Sequence, residues 1–125
     1  MATKKPLVIT AGGLLELATG DTVNFQRSVT TAFSATPTIN TDITDIFGLT
    51  AQSVTITSFT VTGTPINGQK LWIYIVGTGA ISITWGASFT ASTIALPTTT
   101  VGTARLDVGF VWDSVSLTWR CMAVA

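Results

Sequence analysis

A chain of 125 residues and 13.1 kDa has room for one domain of ordinary size with a single core, and needs no metal or disulfide to hold it. Only 10% of its residues are charged, six basic against six acidic, which excludes a basic stripe for nucleic acid and leaves a poorly charged surface for a free monomer. Mean hydropathy is +0.55, yet the longest apolar run, Leu71 to Val76, is far short of the roughly 18 residues of a spanning helix, and the girdled, evenly spaced strands of a membrane barrel are missing, so no membrane partner is expected.

Met1 to Pro6 carries the basic pair Lys4-Lys5 but neither the apolar core nor the cleavage site of a signal peptide, so secretion by that route is not expected. Threonine fills one position in five, Val and Ile are plentiful and Glu and Lys are scarce, a composition that favours strands over helices. Leu7 to Thr10 reads as a short extended run, broken by Ala11-Gly12-Gly13. Leu14 to Ala18 fits either one helical turn or another extended piece, and Gly20-Asp21 marks a turn. Residues 1–27 are therefore expected to form an N-terminal arm, with residues 28–125 as the folded domain.

Val29 to Phe33 is a weak strand, interrupted by Thr36-Pro37-Thr38. From Asn40 to Leu49 the Asx and Thr residues favour turns, and the stretch accommodates a single helical turn or a strand beginning at Ile46. Val54 and Ile56 share one parity and Phe59 and Val61 the other, so a bulge or kink is expected near Thr57-Ser58. Gly63-Thr64-Pro65 and Asn67-Gly68 mark the next connection. Lys70 to Val76 is apolar on both faces, as in a central strand covered on both sides. Ile81, Ile83 and Trp85 alternate with polar residues and predict a strand hairpinned to it across Gly77-Thr78-Gly79. Gly86 to Thr93 is irregular, and Ile94, Leu96 and Pro97 suggest a sheet edge. Leu106, Val108, Phe110 and Trp112 share a face, a loop at Asp113 to Leu117 reverses the chain, and Trp119 to Val124 returns. About eight short strands in antiparallel steps predict an all-β, two-sheet antiparallel sandwich, with a jelly roll as the expected topology. No repeat of 20–50 residues stands out, so a solenoid is not expected.

The chain has no histidine, which removes Ser-His-Asp and Cys-His schemes and the commonest zinc ligand. The carboxylates Glu16, Asp21, Asp42, Asp45, Asp107 and Asp113 leave a paired-carboxylate hydrolase formally open, but Asp42 and Asp45 suit turn capping, Asp113 suits a hairpin loop, and Asp107 suits an ion pair with Arg105 or Arg120. Gly12-Gly13 and Gly77-Thr78-Gly79 lack the flanking residues of phosphate loops, and Asp42-x-x-Asp45 is too sparse for calcium. No catalytic residue, metal or cofactor is expected. Cys121 is alone and reads as a small buried hydrophobe. Trp85, Trp112 and Trp119 are expected in the core. Trp72 is the candidate to face a neighbouring subunit, and stacking on a sugar ring is the alternative to core packing for all four tryptophans.

The order Gly68-Gln69-Lys70-Leu71-Trp72-Ile73-Tyr74-Ile75, Ile83-Thr84-Trp85-Gly86, Leu96-Pro97-Thr98-Thr99-Thr100, Val108-Gly109-Phe110-Val111-Trp112 and Trp119 to Val124 resembles a small all-β domain of bacteriophage virion proteins. That domain occurs in head-decoration (cement), tail-fibre and baseplate-associated proteins, and the likeness spans about the last two thirds of the chain. It implies a structural rather than an enzymatic role: a homotrimeric capsid decoration protein on the virion, whose partner is the major capsid protein or another virion protein. A tail-fibre or receptor-binding module for host glycan is the alternative. On this reading the arm residues Leu7, Val8, Ile9, Leu14, Leu15 and Leu17 dock on the particle or on a neighbouring subunit.

Overall fold

The computed structural model describes residues 7–10, 13–16 and 26–125. Ten strands occur and, among the described residues, no helix: β1 (Leu7–Thr10), β2 (Gly13–Glu16), β3 (Ser28–Thr31), β4 (Thr38–Asn40), β5 (Ile46–Gln52), β6 (Thr60–Thr62), β7 (Lys70–Gly77), β8 (Phe89–Thr90), β9 (Arg105–Asp113) and β10 (Thr118–Val124). The all-β expectation thus agrees with the structure. Within the arm, β1 and β2 form an antiparallel ladder that opposes Val8 to Leu15 and Ile9 to Leu14. Of the two options for the segment after Gly13, the extended one is adopted over Leu14 to Glu16, and the rest of it lies outside the described residues.

The main sheet has six strands in the order β3-β5-β7-β9-β10-β8. It is mixed, where antiparallel steps were expected throughout: β3 with β5, β5 with β7 and β10 with β8 run parallel, while β7 with β9 and β9 with β10 run antiparallel. Parallel neighbours need a crossover, and here it is made of extended chain. β4 and β6, which connect β3 to β5 and β5 to β7, pair parallel with each other in a second small sheet. The chain therefore winds between two sheets from Ser28 to Gly77. The windings are unequal, since Ser28 lies opposite Ile46, Ile46 opposite Trp72 and Thr38 opposite Thr60. Unequal spacing leaves no sequence repeat to detect.

Two local expectations are corrected. Ile81 to Trp85 is not hairpinned to β7, whose flanks are already taken by β5 and β9. Instead Ile83 bridges Ile56 in parallel and Ser82 bridges Thr99. Ile94 to Pro97 belongs to no strand. The irregularity expected near Thr57-Ser58 begins earlier: residues 53–55 and 57–59 lie outside strands and Ile56 makes only an isolated bridge, so Ile56 and Phe59 are both buried despite their opposite parity while Val54, of Ile56's parity, is exposed.

The core lies on one face of the main sheet. Phe47, Leu49, Leu71, Ile73, Ile75, Leu106, Val108 and Phe110 project from β5, β7 and β9, and Trp119 and Cys121 from β10. The second layer closes over them with Ile39, Ile56, Phe59, Ile83 and Trp85. Aromatic packing joins the layers: Phe59 stacks on Trp85 with centroids 4.9 Å apart, and Trp85 and Phe89 lie 5.2 and 4.7 Å from Phe110. The Trp85 indole N–H donates to the Pro97 carbonyl at 2.7 Å, so the ring is buried without an orphaned donor. Trp112 is partly buried against this cluster. Burial also pushes the Cys121 thiol above its ordinary pKa, as befits a small core side chain.

Candidate functional site: the outer face of the main sheet

Period-2 alternation sends the even residues of β7 to the face opposite the core. Trp72, Tyr74 and Val76 are only half-buried there, so this face is not covered as the sequence pattern suggested. Both large rings lie down on the sheet, and glycines make that possible. Gly109 is the cross-strand partner of Trp72, and a methyl group added to it would fall 2.5 Å from the indole Cζ3. Gly48 is the partner of Tyr74 on the other side, and a methyl there would overlap the phenol ring. A glycine inside a strand marks such a close approach. Each ring is thus seated against the sheet rather than standing perpendicular to it; Trp72 presents its flat surface outward, whereas Arg105 lies over the Tyr74 ring.

Polar contacts lock these rings. The Trp72 indole N–H donates to Asp107 Oδ1 at 2.8 Å. Arg105 donates through Nε to both Asp107 carboxylate oxygens, at 2.8 and 3.0 Å, and its guanidinium carbon sits 3.9 Å from the Tyr74 ring centroid. The arginine therefore serves as salt-bridge partner and cation–π cap at once. At the rim, Arg27 pairs with Asp45 at 2.8 Å and also donates to the Asp42 carbonyl. These two ion pairs neutralise their own charges, while Lys70 and Arg120, the cross-strand neighbours of Val111 on β7 and β10, bring two further basic groups to the same face and form no salt bridge among the described residues. Beside Trp72 an open groove of about 810 Å³ is lined by Ile46, Gly109, Val111 and Met122 together with the polar Gln69 and Lys70.

These contacts set the titration of the site. Burial disfavours the charged form of Asp107, but the hydrogen bonds from Arg105 and Trp72 outweigh it and hold the carboxyl below its ordinary range. The Arg27 hydrogen bond does the same for Asp45. A depressed folded-state pKa stabilises the fold above the unfolded value and loses that contribution as pH falls through the folded value. For Asp107 this window lies below about pH 4. Because Arg105 is half-exposed, solvent screening reduces the contribution to about 1 kcal/mol. In urea titrations, Asp107→Asn is expected to be less stable than wild type by that amount at pH 6, with the gap closing by pH 2. A gap that stays constant with pH would show that the loss comes from packing and not from charge.

Of the residues singled out from sequence, Trp72 occupies the centre of this face. Leu7, Val8 and Ile9 lie in β1 and Leu14 and Leu15 in β2, while Leu17 falls outside the described residues. Tyr74 and Arg105 were missed as site residues, as were Gly48 and Gly109. The signal for them was a glycine inside each of two strong strand patterns, Ile46-Phe47-Gly48-Leu49 and Val108-Gly109-Phe110. The other carboxylates bind backbone and hydroxyl groups: Asp113 acts locally, accepting from the Val115 N–H at 2.9 Å and the Ser116 hydroxyl at 2.9 Å, whereas Asp42, expected to cap its own turn, accepts from the distant Thr64 N–H at 2.8 Å. Among the described residues no group of three or more Cys, Asp or Glu converges on a point that could hold a metal. No protein-family model matches the chain, and neither the curated proteins nor the solved structures give a significant match.

Proposed function

We propose that this chain is a non-enzymatic structural protein of a bacteriophage virion, a capsid decoration protein that binds the assembled head and stabilises it. The observation that carries this reading is the outer face of the six-stranded sheet, where Trp72 is seated flat on Gly109 beside an open groove with Ile46, Val111 and Met122 in its wall, and where Arg105 and Asp107 are paired with each other. An aromatic and aliphatic patch with a charged rim, here Lys70 and Arg120, is suited to burial against protein. The order of sequence pieces that resembles virion domains supports the setting, and the low overall charge supports a symmetric oligomer, a trimer by that resemblance. The same reading takes the main sheet and the layer over its inner face as a sandwich, a jelly roll altered by the parallel windings. Cementing follows from linkage: a protein that binds only the assembled shell stabilises it in proportion to that differential affinity.

The test is cosedimentation of purified protein with phage heads assembled without it. Wild type is expected to saturate the heads, and Trp72→Ala and Val111→Asp to lose at least tenfold in affinity with melting temperatures within a few degrees of wild type. Undiminished binding by both variants would remove the face from the attachment surface. No binding of wild type to any head preparation would overturn the decoration role.

A receptor-binding role is the second reading, and the observation that favours it is the platform itself. A flat indole flanked by Arg105 and Asp107 combines a stacking surface with hydrogen-bonding groups, which is sugar-recognition chemistry. Retention of the protein on host-surface glycan, abolished by Trp72→Ala, would select this reading over decoration.

A further inference from the structure

The windings have an open end. β3 is the terminal strand of the main sheet and pairs only with β5, and β4 pairs only with β6, so the first winding is unpaired along its outward side in both sheets. Free strand edges of this kind are usually blunted by lysine, proline or a bulge. β3 reads Ser28-Val29-Thr30-Thr31 and has none of these; all four residues are exposed and its pairing to β5 is regular. The first winding is also apolar where it meets solvent, with Val29 38%, Phe33 57% and Ile43 59% exposed. A stack of windings normally needs a cap on its end.

The chain also carries an element with the opposite need. β1 and β2 pair with each other and with no third described strand. A lone two-stranded hairpin is marginal in water and gains stability by joining a larger sheet. Its sequence, Leu7-Val8-Ile9-Thr10 and Gly13-Leu14-Leu15-Glu16, is as apolar as the end it would cover. Within the single chain the hairpin remains a sheet of its own and is not laddered to β3.

We propose that the β1–β2 hairpin of one copy adds to the β3 edge of a second copy, extending the six-stranded sheet and covering Val29 and Phe33. This deepens the oligomer in the reading above and rests on that part of it alone. Donor and acceptor are different surfaces, so the contact is heterologous: each copy gives a hairpin and receives one, and the set closes into a ring or grows as a filament. Main-chain hydrogen bonds supply the affinity and the exposed apolar residues supply register, as in other strand-addition interfaces.

The experiment uses full-length chains and purified protein only, so its outcome is independent of head binding. One preparation carries Thr30→Cys in β3, and a second carries Thr10→Cys or Glu16→Cys at the outer ends of β1 and β2. Cys121 is buried and serves as background in the wild-type control. The preparations are mixed, unfolded and refolded together, then treated with a short bismaleimide. Mixed samples are expected to give a dimer-sized covalent product that neither preparation gives alone, from at least one of the two hairpin positions. A chain carrying both cysteines of a pair, treated at high dilution, is expected to stay uncrosslinked. Crosslinking confined to that double variant would show that the hairpin covers its own edge, and absence of product in every sample would refute docking altogether. As an independent readout, Val29→Asp with Phe33→Asp is expected to shift the light-scattering mass from an oligomer to about 13 kDa with the thermal transition retained. An oligomer of unchanged mass would overturn the proposal.

Discussion

Trp119→Ala is expected to cost on the order of 3–5 kcal/mol in urea denaturation, or to abolish soluble expression. Trp119 is 1% exposed near the start of β10, between Trp112 on β9 and Phe89 on β8. Its ring centroid lies 5.3 Å from that of Trp112, and its backbone N–H donates to Ser88 at 2.8 Å. Truncation would leave an indole-sized void beneath a β8 strand of only two residues, which holds its place through Phe89 and that one parallel pairing. The strand has little else to hold it, so neighbours would have to collapse or admit water. A variant that melts within about 1 kcal/mol of wild type but fails to bind its target would assign Trp119 to recognition and sink the core assignment.

Gln52→Leu is expected to cost about 2–4 kcal/mol, although it replaces a polar residue in the core by an apolar one of similar size. The glutamine is fully buried, and its side chain satisfies three backbone groups of other residues. Its carbonyl oxygen accepts from the Ser34 N–H at 3.1 Å, and its amide donates to the Ser34 carbonyl at 2.8 Å and the Val54 carbonyl at 2.6 Å. Leucine would leave these groups without that partner, and solvent could satisfy them only if the segment between β3 and β4 moved outward. Amide exchange at Ser34 should therefore accelerate in the variant by at least the factor by which global stability falls. Stability within about 1 kcal/mol of wild type would show that the first winding is held by its ladder alone.

The contrast between these two residues shows what each level of description carries. Trp119 was legible because it opens the returning strand Trp119 to Val124, and a large ring in a period-2 strand has few places to go other than the core. The same physics made β9 and β10 readable, and Asp113 to Leu117 is a turn by its own residues, whereas Asn40 to Leu49 fits a helical turn as well as the start of β5, and β7 is apolar on both faces although only one is covered. Gln52 was not legible. Nothing near it in sequence indicates that a glutamine beside Ala51 and Ser53 is the buried clasp between two windings, because its partners at Ser34 are set by the crossover and not by spacing.

Strand partners divide in the same way. The sequence by itself determined the class of fold, the position of β7, β9 and β10, the hairpin-loop role of Asp113 and the burial of Cys121, all of which follow from residue type and near neighbours. Only the tertiary structure decided that β3, β5 and β7 are parallel, that Ile83 bridges Ile56 instead of returning along β7, and that Gly48 and Gly109 are seats for Tyr74 and Trp72. A period-2 pattern fixes which face a side chain takes but is identical for parallel and antiparallel pairing, and windings of unequal length leave no repeat to betray them. Partner choice is settled by which arrangement buries the alternating faces of every strand together, and that is a property of the whole chain.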